Sequence, residues 1–416
     1  MKDAAEVRTE LASPRVRHLL ASARAQFVER GFDGVSIDAI ARTAGVSKET
    51  IYRHFADKEA LFRAALDAQG AEFIARAAAV HESAASGGSE LAGLARAILD
   101  SALDQGMFSA LWVAAGVAHK MPDLASALQN GQGMRLEPVR QALQDYAREK
   151  GMDRPVPLEL ALDFGSLAVE GPVVLMGFPP APPEARDRIA HHVAALFAQG
   201  IGSAIEPALP MPDALPSVAP EPFEAPPSHI RTLLDVAGRH FLGQGYESAN
   251  LHLIGEEARV GRGTLYRHFS SKAGLFAATM RALAQACAQE AAPPAMPEGR
   301  ADLEVLTAYV EAALAVLASA TSIQLHRVVI SQSRRDPALS RDVYMALRAP
   351  WVRGLVPWLH SIGVRQGSEW HARQLLVLAL RGNRMFAGGH PVSGQERRRY
   401  AERAAGIFLN GFISLL

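Results

Sequence analysis

The chain has 416 residues, which is enough for two or more domains. Apolar residues make up 49% and charged residues 21%, and the formal net charge is zero, so any nucleic-acid surface must be basic only locally. The single cysteine, Cys287, excludes an intrachain disulfide framework and favours a reducing compartment. Without a signal peptide or an apolar run of roughly 20 residues, a cytoplasmic protein with no membrane segment is expected.

The first 62 residues predict a helix-turn-helix preceded by one helix. Pro14 begins a helix whose apolar residues recur at helical spacing as far as Gly31. Ser36 caps a second short helix, Gly45 ends it in a tight turn, and Ser47 caps a third. A longer helix follows from residue 57 to about 79. Two short helices joined by a glycine turn are typical of DNA-binding proteins.

The pattern remains helical to residue 203. Predicted helices cover 89–105, 107–119, 122–130, 133–149, 157–176 and 184–203. No stretch alternates with period two long enough to predict a sheet, so the fold class is all-α. Residues 206–227 contain eight prolines and predict an extended, semi-rigid linker.

The opening pattern returns after this linker. Residues 31–62 align without a gap with 245–276 at a shift of 214, and twelve of the 32 positions are identical. The identities include the run Tyr-Arg-His-Phe at 52–55 and 266–269, and the lysines Lys58 and Lys272. A repeat of this length indicates a duplicated domain. The predicted domains are 1–62 (first head), 63–205 (first regulatory domain), 206–227 (linker), 228–276 (second head) and 277–416 (second regulatory domain).

The second helix of each pair carries residue types that suit DNA recognition. Lys48, Glu49 and Thr50 project from its first turn, from which such helices meet base edges in the major groove. Tyr52 and His54 can donate to phosphate oxygens while their rings pack on the sugar. Lys58 and Ser36 lie at the starts of neighbouring helices, where a phosphate would be favoured. The alternative is a surface helix with solvated polar residues, which the gapless second copy disfavours.

Both stretches resemble the DNA-binding domain of TetR-family transcription regulators, through the long pattern from Gly31 to Phe62 and its copy. The resemblance implies two tandem units, each with a three-helix DNA-binding domain and a helical domain for ligand binding and dimerisation. It places the DNA contacts at Ser36, Lys48, Glu49, Thr50, Tyr52, His54 and Lys58, and at Asn250, Arg262, Gly263, Thr264, Tyr266, His268 and Lys272. One departure is Arg259, which replaces the turn glycine and costs about 1 kcal/mol if it is left-handed.

Two unlike heads on one chain predict an intramolecular pseudo-dimer that reads an operator with unequal halves. Arg262 suits a guanine, with about 1–3 kcal/mol of discrimination, whereas Lys48 beside Glu49 should read something else. The pseudo-dimer contact is expected between helices 157–176 and 184–203 and helices 369–386 and 395–414. Gly165, Gly171 and Gly382 are expected to allow close approach there.

Aromatic, histidine and methionine residues in the regulatory domains predict a ligand pocket in each unit. For each single residue, a role in the hydrophobic core is the more frequent alternative. The predicted lining residues are Phe108, Trp112, His119, Met134, Phe164 and Met176 in the first unit, and Tyr309, His326, Trp351, Trp358, Trp370 and Phe386 in the second. The family resemblance implies a small apolar effector that swings the heads apart.

An enzyme is disfavoured, because the sequence lacks a nucleophile elbow, a phosphate loop, a dinucleotide fingerprint and metal-ligand spacing. No cofactor and no metal are predicted. The expected partners are operator double-stranded DNA and a small apolar effector, and further self-association of whole chains is left open. The function expected is a sequence-specific, ligand-responsive transcriptional repressor, with repression as the family default. A binding module that has lost DNA recognition is the other alternative.

Overall fold

The computed structural model describes residues 13–66, 68, 91–104, 112–113, 115–117, 120–121, 132–169, 174–201, 227–381 and 391–416. Within these ranges the regular elements are helices and no strand is present, which confirms the predicted all-α class. The first unit contains α1 (Pro14–Arg30), α2 (Ile37–Ala44), α3 (Lys48–His54), α4 (Leu91–Asp104), α5 (Gln132–Glu149), α6 (Leu158–Val169) and α7 (Pro183–Gln199). The second unit contains α8 (Ser228–Ser248), α9 (Leu251–Glu257), α10 (Arg262–Phe269), α11 (Lys272–Gln289), α12 (Leu303–Leu317), α13 (Ala320–Gln332), α14 (Pro337–Ser361), α15 (Ser368–Ala379) and α16 (Gly394–Asn410).

Serine side chains begin the helices of the first head, as the sequence predicts. The Ser36 hydroxyl accepts from the backbone N–H of Ala39 at 3.1 Å, and the Ser47 hydroxyl accepts from that of Thr50 at 3.1 Å. Each bond satisfies a donor that the helix itself leaves unpaired. Gly45 ends α2 in a left-handed conformation, with φ 64°. The turn between α2 and α3 is therefore set by local chemistry.

The second head repeats this backbone. Gly31, after α1, has φ 72° and ψ 170°, and Gly245, a kink within α8, has φ 76° and ψ 170°. Arg259 ends the following turn with φ 54°, so the residue in place of Gly45 is left-handed. A non-glycine residue in this conformation costs about 1–2 kcal/mol. Helix α11 runs across the boundary expected at 276/277, so one helix serves both the second head and its regulatory domain.

The two units meet through α6 and α7 of the first and α15 and α16 of the second, the helices that the sequence indicated for this contact. The ends of α7 and α16 approach most closely. The backbone N–H of Ile201 donates to the carbonyl of Phe408 at 2.8 Å. A Cβ atom at Gly200 would lie 2.3 Å from the Leu409 carbonyl oxygen, and one at Gly411 would lie 2.2 Å from that of Ala198. Only glycine fits at these two corners.

Three expectations about this contact were wrong in detail. Gly165 does not face the other unit, because a Cβ atom there would meet Leu136 of its own unit at 3.8 Å. Helix α15 ends at Ala379 rather than 386, since Arg381 is left-handed with φ 52°. Helices α7 and α16 end at 199 and 410 because Gly200 and Gly411 leave the helical region. Gly171 and Gly382 lie outside the described residues.

Internal symmetry relates the two sides of this contact. Helices α7 and α16 each have 17 residues and begin 211 positions apart, at 183 and 394. The same offset aligns residues 161, 167 and 168 with identical residues in α15. It also makes Asp163 equivalent to Gln374, and Arg403 equivalent to His192. Asp163 and Arg403 form an ion pair of 2.7 Å, and Asp163, Gln374 and His192 are buried.

The core is continuous across the four-helix contact. Phe197 of α7 stacks on Phe412, the residue after Gly411, with ring centroids 5.0 Å apart. Buried residues of the second head belong to the same apolar cluster as both regulatory domains, whereas the described core of the first head forms a cluster with Val113, Val117 and Met121. Cys287 is buried, and burial raises the pKa of its thiol. No single described helix is long and apolar enough to cross a membrane; α12 and α13 qualify only together and are bent by 63°.

Candidate nucleic-acid interface

Helix α3 divides into a buried and an exposed side. Ile51 is fully buried and Phe55, just after the helix, is 6% exposed, so these two residues anchor the helix in the first head. Tyr52 is 52% exposed, although tyrosine rings usually find apolar cover. Lys48 and Glu49 are exposed beside it. The predicted reading residues therefore share one open surface.

An ion pair between Lys48 and Asp38, which was not predicted from the sequence, lies on this surface. Lys48 Nζ lies 2.6 Å from a carboxylate oxygen of Asp38, which is exposed on α2. Thr50 makes a hydroxyl contact of 3.0 Å with Ser47. Exposed pairs of this kind contribute only about 0–1 kcal/mol, so DNA could compete for the lysine. Asp38 could have been singled out from the repeat alignment, which sets it opposite a histidine.

The second head presents a different charge at the same place. Arg262 lies over the Tyr266 ring at 5.5 Å, and Tyr266 is 40% exposed. The position of Asp38 is taken by His252, which lies 3.5 Å from Glu256. Gly263 replaces Glu49, and nothing lies within 4 Å of where its Cβ would be. The reading surface of the second head thus lacks the two carboxylates of the first.

Lys58 and Lys272 occupy equivalent positions but are not extended into solvent. The ammonium of Lys58 lies 4.4 Å from the Phe32 ring centroid, and that of Lys272 lies 5.0 Å from the Tyr246 centroid. Lys272 also donates to the carbonyl of Glu247 at 3.0 Å. Burial lowers the pKa of both lysines, and a nearby carboxylate, Asp33 or Glu247, opposes this. A phosphate would have to draw them from these rings.

The remaining predicted contacts lie at the edges of the same surfaces. Asn250 accepts from the N–H of His252 at 2.8 Å, which is the capping role that Ser36 plays in the first head. His54 and His268 pack beside Phe55 and Phe269, with ring centroids 6.3 and 6.2 Å apart. Thr264 is partly buried. In each head the structure therefore brings all seven predicted residues to the helix-turn-helix or its flanks.

Each head is tied to its own regulatory domain by an equivalent ion pair. Lys120 Nζ lies 2.7 Å from Asp33, after α1, and Arg335 pairs with Glu247, near the end of α8. The repeat alignment at a shift of 215 places Lys120 opposite Arg335. The Arg335–Glu247 pair joins the residues just before α14 to the base of the second head. The Lys120–Asp33 pair does the same in the first unit.

A further contact crosses between the units. The indole N–H of Trp112 donates to the Ser333 hydroxyl at 2.7 Å, and the Arg334 guanidinium lies 4.1 Å from the Trp112 ring centroid. Arg334 also donates to the carbonyl of Val28 in the first head at 3.1 Å. Trp112 was expected to line a pocket of the first unit. The structure places it at the junction with the second unit, beside a cleft that both heads line.

The other described pocket residues are packed in the core. Phe164 and Met176 are buried in the first unit, and Tyr309, Trp351, Trp358 and Trp370 are buried in the second. The Trp358 indole donates to the carbonyl of Arg300 at 2.9 Å. Phe108, His119 and Phe386 lie outside the described residues, as does the side chain of Met134. Most of the described residues that were predicted to line a pocket are therefore packed in the hydrophobic core.

His326 is the exception, because it belongs to a buried polar group. Its Nε2 lies 2.7 Å from the Arg348 guanidinium, and its Nδ1 lies 2.6 Å from the carbonyl oxygen of Ser322. Burial lowers the pKa of His326 far below its usual value, and the charge of Arg348 lowers it further. Arg348 also lies over the Tyr344 ring at 4.6 Å. A charged guanidinium is thus held inside the second regulatory domain.

Family comparisons agree with the repeat. The model for bacterial regulatory proteins of the tetR family matches residues 19–65 and again 233–279. The model for the carboxyl-terminal domain of AefR-like transcriptional repressors matches residues 304–412. The two tetR matches cover the two heads, and the third match covers most of the second regulatory domain.

Two curated relatives are similar over a short stretch only. The DNA-binding transcriptional repressor TetR of Mycobacteroides abscessus is 46% identical over 55 residues, which is 13% of this chain and 29% of that protein. The HTH-type transcriptional repressor AcnR of Corynebacterium diphtheriae is 43% identical over 56 residues, or 14% of this chain and 29% of that protein. The chain therefore spans less than a third of the length of these relatives.

Solved structures are similar at a more distant level. A TetR-like transcriptional regulator from Rhodococcus sp. RHA1 is 21% identical, with a TM-score of 0.31, over 44% of this chain and 96% of that chain. A transcriptional regulator candidate of the TetR family from Mesorhizobium loti is 21% identical, with a TM-score of 0.36, over 43% and 94%. The two tetR matches on one chain, each on a folded helix-turn-helix, carry the assignment. The chain is a tetR-family protein with two family units in tandem.

Proposed function

We propose that the chain is a transcriptional regulator that binds double-stranded DNA through both heads. The observation that carries this proposal is the pair of exposed helix-turn-helix surfaces, each with a tyrosine that is 52% or 40% exposed among basic side chains. The names of the two curated relatives, both repressors, support repression as the outcome. Tyr52, His54 and Lys58 and their equivalents hold the phosphate backbone, which carries no sequence information.

Base readout differs between the heads, so the operator has unequal halves. In the first head Asp38 and Glu49 surround Lys48, and a carboxylate such as Glu49 accepts from the amino group of cytosine. In the second head Arg262 has no such acid at the equivalent positions and suits the two acceptors of guanine. Two unlike readers on one polypeptide favour one chain per operator.

The first experiment measures DNA binding of the full chain by fluorescence anisotropy. The duplex is the region upstream of its own coding sequence, and the salt concentration is varied. A log–log slope of several units is expected, because each phosphate contact releases counterions and contributes about 0.9 to the slope. A slope near zero would contradict the proposal and favour a module that has lost DNA binding.

The second experiment tests the unequal halves. Footprinting should show two different half-sites, and light scattering of the complex should give one 44.5 kDa chain per operator. Arg262→Ala should relax base preference in one half-site only, and Glu49→Ala in the other. A perfect palindrome occupied by two whole chains would contradict the model.

Effector control is the second part of the proposal. The Arg348–His326 pair is a buried polar group inside the second regulatory domain, and the ion pair of Arg335 with Glu247 joins that domain to its head. A small, mostly apolar effector bound near this pair would displace α13 and α14 and change the distance between the heads. Loss of operator binding on addition of such compounds tests this, with Arg348→Met as the variant expected to stop responding.

A further inference from the structure

The turn of the second helix-turn-helix contains a residue that its backbone disfavours. Arg259 has φ 54°, and Gly45 at the same place in the first head has φ 64°. The hydrogen bonds of the two turns are also equivalent. Val260 N–H donates to the carbonyl of Gly255 at 2.8 Å, and Val46 N–H donates to that of Ala41 at 3.0 Å. Glycine would adopt this turn without strain, so arginine at this position does not stabilise the fold.

The side chain of Arg259 stands on the reading surface of the second head. It is exposed, and it lines an open groove between α9 and α10 together with His252, Arg262 and Tyr266. It forms no ion pair within the described part of the chain. Its neighbours in this groove include one carboxylate, Glu256, which already lies 3.5 Å from His252.

We propose that Arg259 is a DNA-binding residue that only the second head possesses, and that it holds a backbone phosphate. This inference rests on the proposed DNA-binding function. Base edges are met by the first turn of the second helix, which begins three residues later at Arg262. A residue in the preceding turn flanks that helix, where the contacts of such motifs go to phosphates. Arginine suits this role because its planar fork matches a phosphate with two hydrogen bonds.

The proposal makes stability and binding change in opposite directions. In the full chain, Arg259→Gly relieves the left-handed strain, and the melting temperature should rise by about 1–4 °C. The same change removes one phosphate contact. Operator affinity should fall on the order of ten-fold, and the magnitude of the salt slope should fall by about 0.9. Anisotropy titration over a range of salt and thermal unfolding measure the two effects.

Three variants serve as controls. Arg259→Lys keeps both the cation and the strain, so it should retain the salt slope and the wild-type melting temperature. Gly45→Arg in the first head is the reciprocal change, and a Cβ atom there meets nothing within 4 Å. It should lower the melting temperature and steepen the slope. Arg365→Ala removes an exposed arginine from the loop after α14 and should leave the slope unchanged.

The outcomes separate this inference from the function on which it rests. If the wild-type chain shows no salt-dependent binding, the proposed function fails. If the wild type binds and Arg259→Gly binds with the same affinity and slope, the phosphate contact is wrong while the proposed function stands. A lower melting temperature for Arg259→Gly would show that Arg259 does not strain the turn, and would overturn the inference while the proposed function stands.

Discussion

The two units share their backbone corners but differ in the side chains placed on them. Gly31 and Gly245 have the same dihedral angles within a few degrees, and the corners at Gly45 and Arg259 both have a positive φ, of 64° and 54°. The reading residues Lys48 and Glu49 correspond to Arg262 and Gly263. The duplicated fold thus keeps the backbone geometry by which its units pack together, while the charges on its exposed surfaces differ between the units.

The four-helix contact shows the same division. Gly200 and Gly411 lie together where the ends of α7 and α16 meet, and they have nearly equal φ angles of 72° and 76°. Elsewhere in the contact, one side holds the Asp163–Arg403 ion pair, and the equivalent positions on the other side are Gln374 and His192. His192 contacts Trp370 instead, with ring centroids 5.7 Å apart. Backbone symmetry is therefore retained where charge symmetry is lost.

The largest expected effect tests the shared corners. Gly200→Val places side-chain atoms against the Leu409 carbonyl and strains the backbone. The change should therefore cost about 3–5 kcal/mol of unfolding free energy. Gly411→Val should cost the same, since a Cβ atom there would lie 2.2 Å from the Ala198 carbonyl oxygen. Urea unfolding of the full chain measures both. Gly151→Ala is the control, because Gly151 has φ 79° and no atom lies within 4 Å of where its Cβ would be. Unequal losses of unfolding free energy at 200 and 411 would contradict the equivalence of the two corners.

The next largest effect is a pH dependence of stability that arises from His371, in the second unit only. His371 is buried, and burial lowers its pKa from 6.5 to about 4. As the pH falls from 6.5 to 4, the unfolded chain binds a proton that the folded chain does not. Stability is therefore lost in that window, by about 3 kcal/mol at most.

The first unit has Leu160 at the equivalent position, so His371→Leu makes the two units alike. Unfolding free energies measured by urea from pH 4 to pH 7 should show a shallower pH dependence for this variant. Some slope should remain, because burial also lowers the pKa of His326. An unchanged pH profile would contradict the assignment of this pH dependence to His371.

A smaller effect tests the charged side of the contact. Asp163→Asn leaves the largely buried Arg403 without its carboxylate, and should cost about 2–3 kcal/mol of unfolding free energy. Asp163→Gln combined with Arg403→His copies the side with Gln374 and His192 and should restore most of the loss. A double variant as unstable as the single one would show that the ion pair is not what distinguishes the two sides. Thermal and urea unfolding measure these variants.

The smallest effect tests the ion pairs between heads and regulatory domains. Lys120→Ala and Arg335→Ala each remove an exposed pair, so each should cost about 0.2–1 kcal/mol or less. Their expected consequence is functional: each should weaken the link of one head to its regulatory domain. Hydrogen exchange of the α1–α2 and α8–α9 junctions measures this. Loosening of both heads by either single variant would contradict the pairing of each head with its own domain.

Much of the fold was determined by the sequence alone, because its signals are local. Ser36, Gly45 and Ser47 each act within one helical turn, so caps and corners could be predicted from residue type. The repeat could be read by alignment, and with it the positions of the reading residues. The helix ends at 199, 379 and 410 were not predicted, because the apolar spacing continues past them and does not show which residue adopts a positive φ.

Only the tertiary structure decided which residues meet across the chain. Trp112 was predicted to line a pocket but contacts Ser333, which is 221 residues away. Asp38 was not singled out, although it holds Lys48, because an ion pair depends on how two helices cross. Such contacts depend on packing between distant segments, and no spacing rule in the sequence encodes them. The position of Arg259 was evident in the alignment, but the groove that its side chain lines exists only in the folded head.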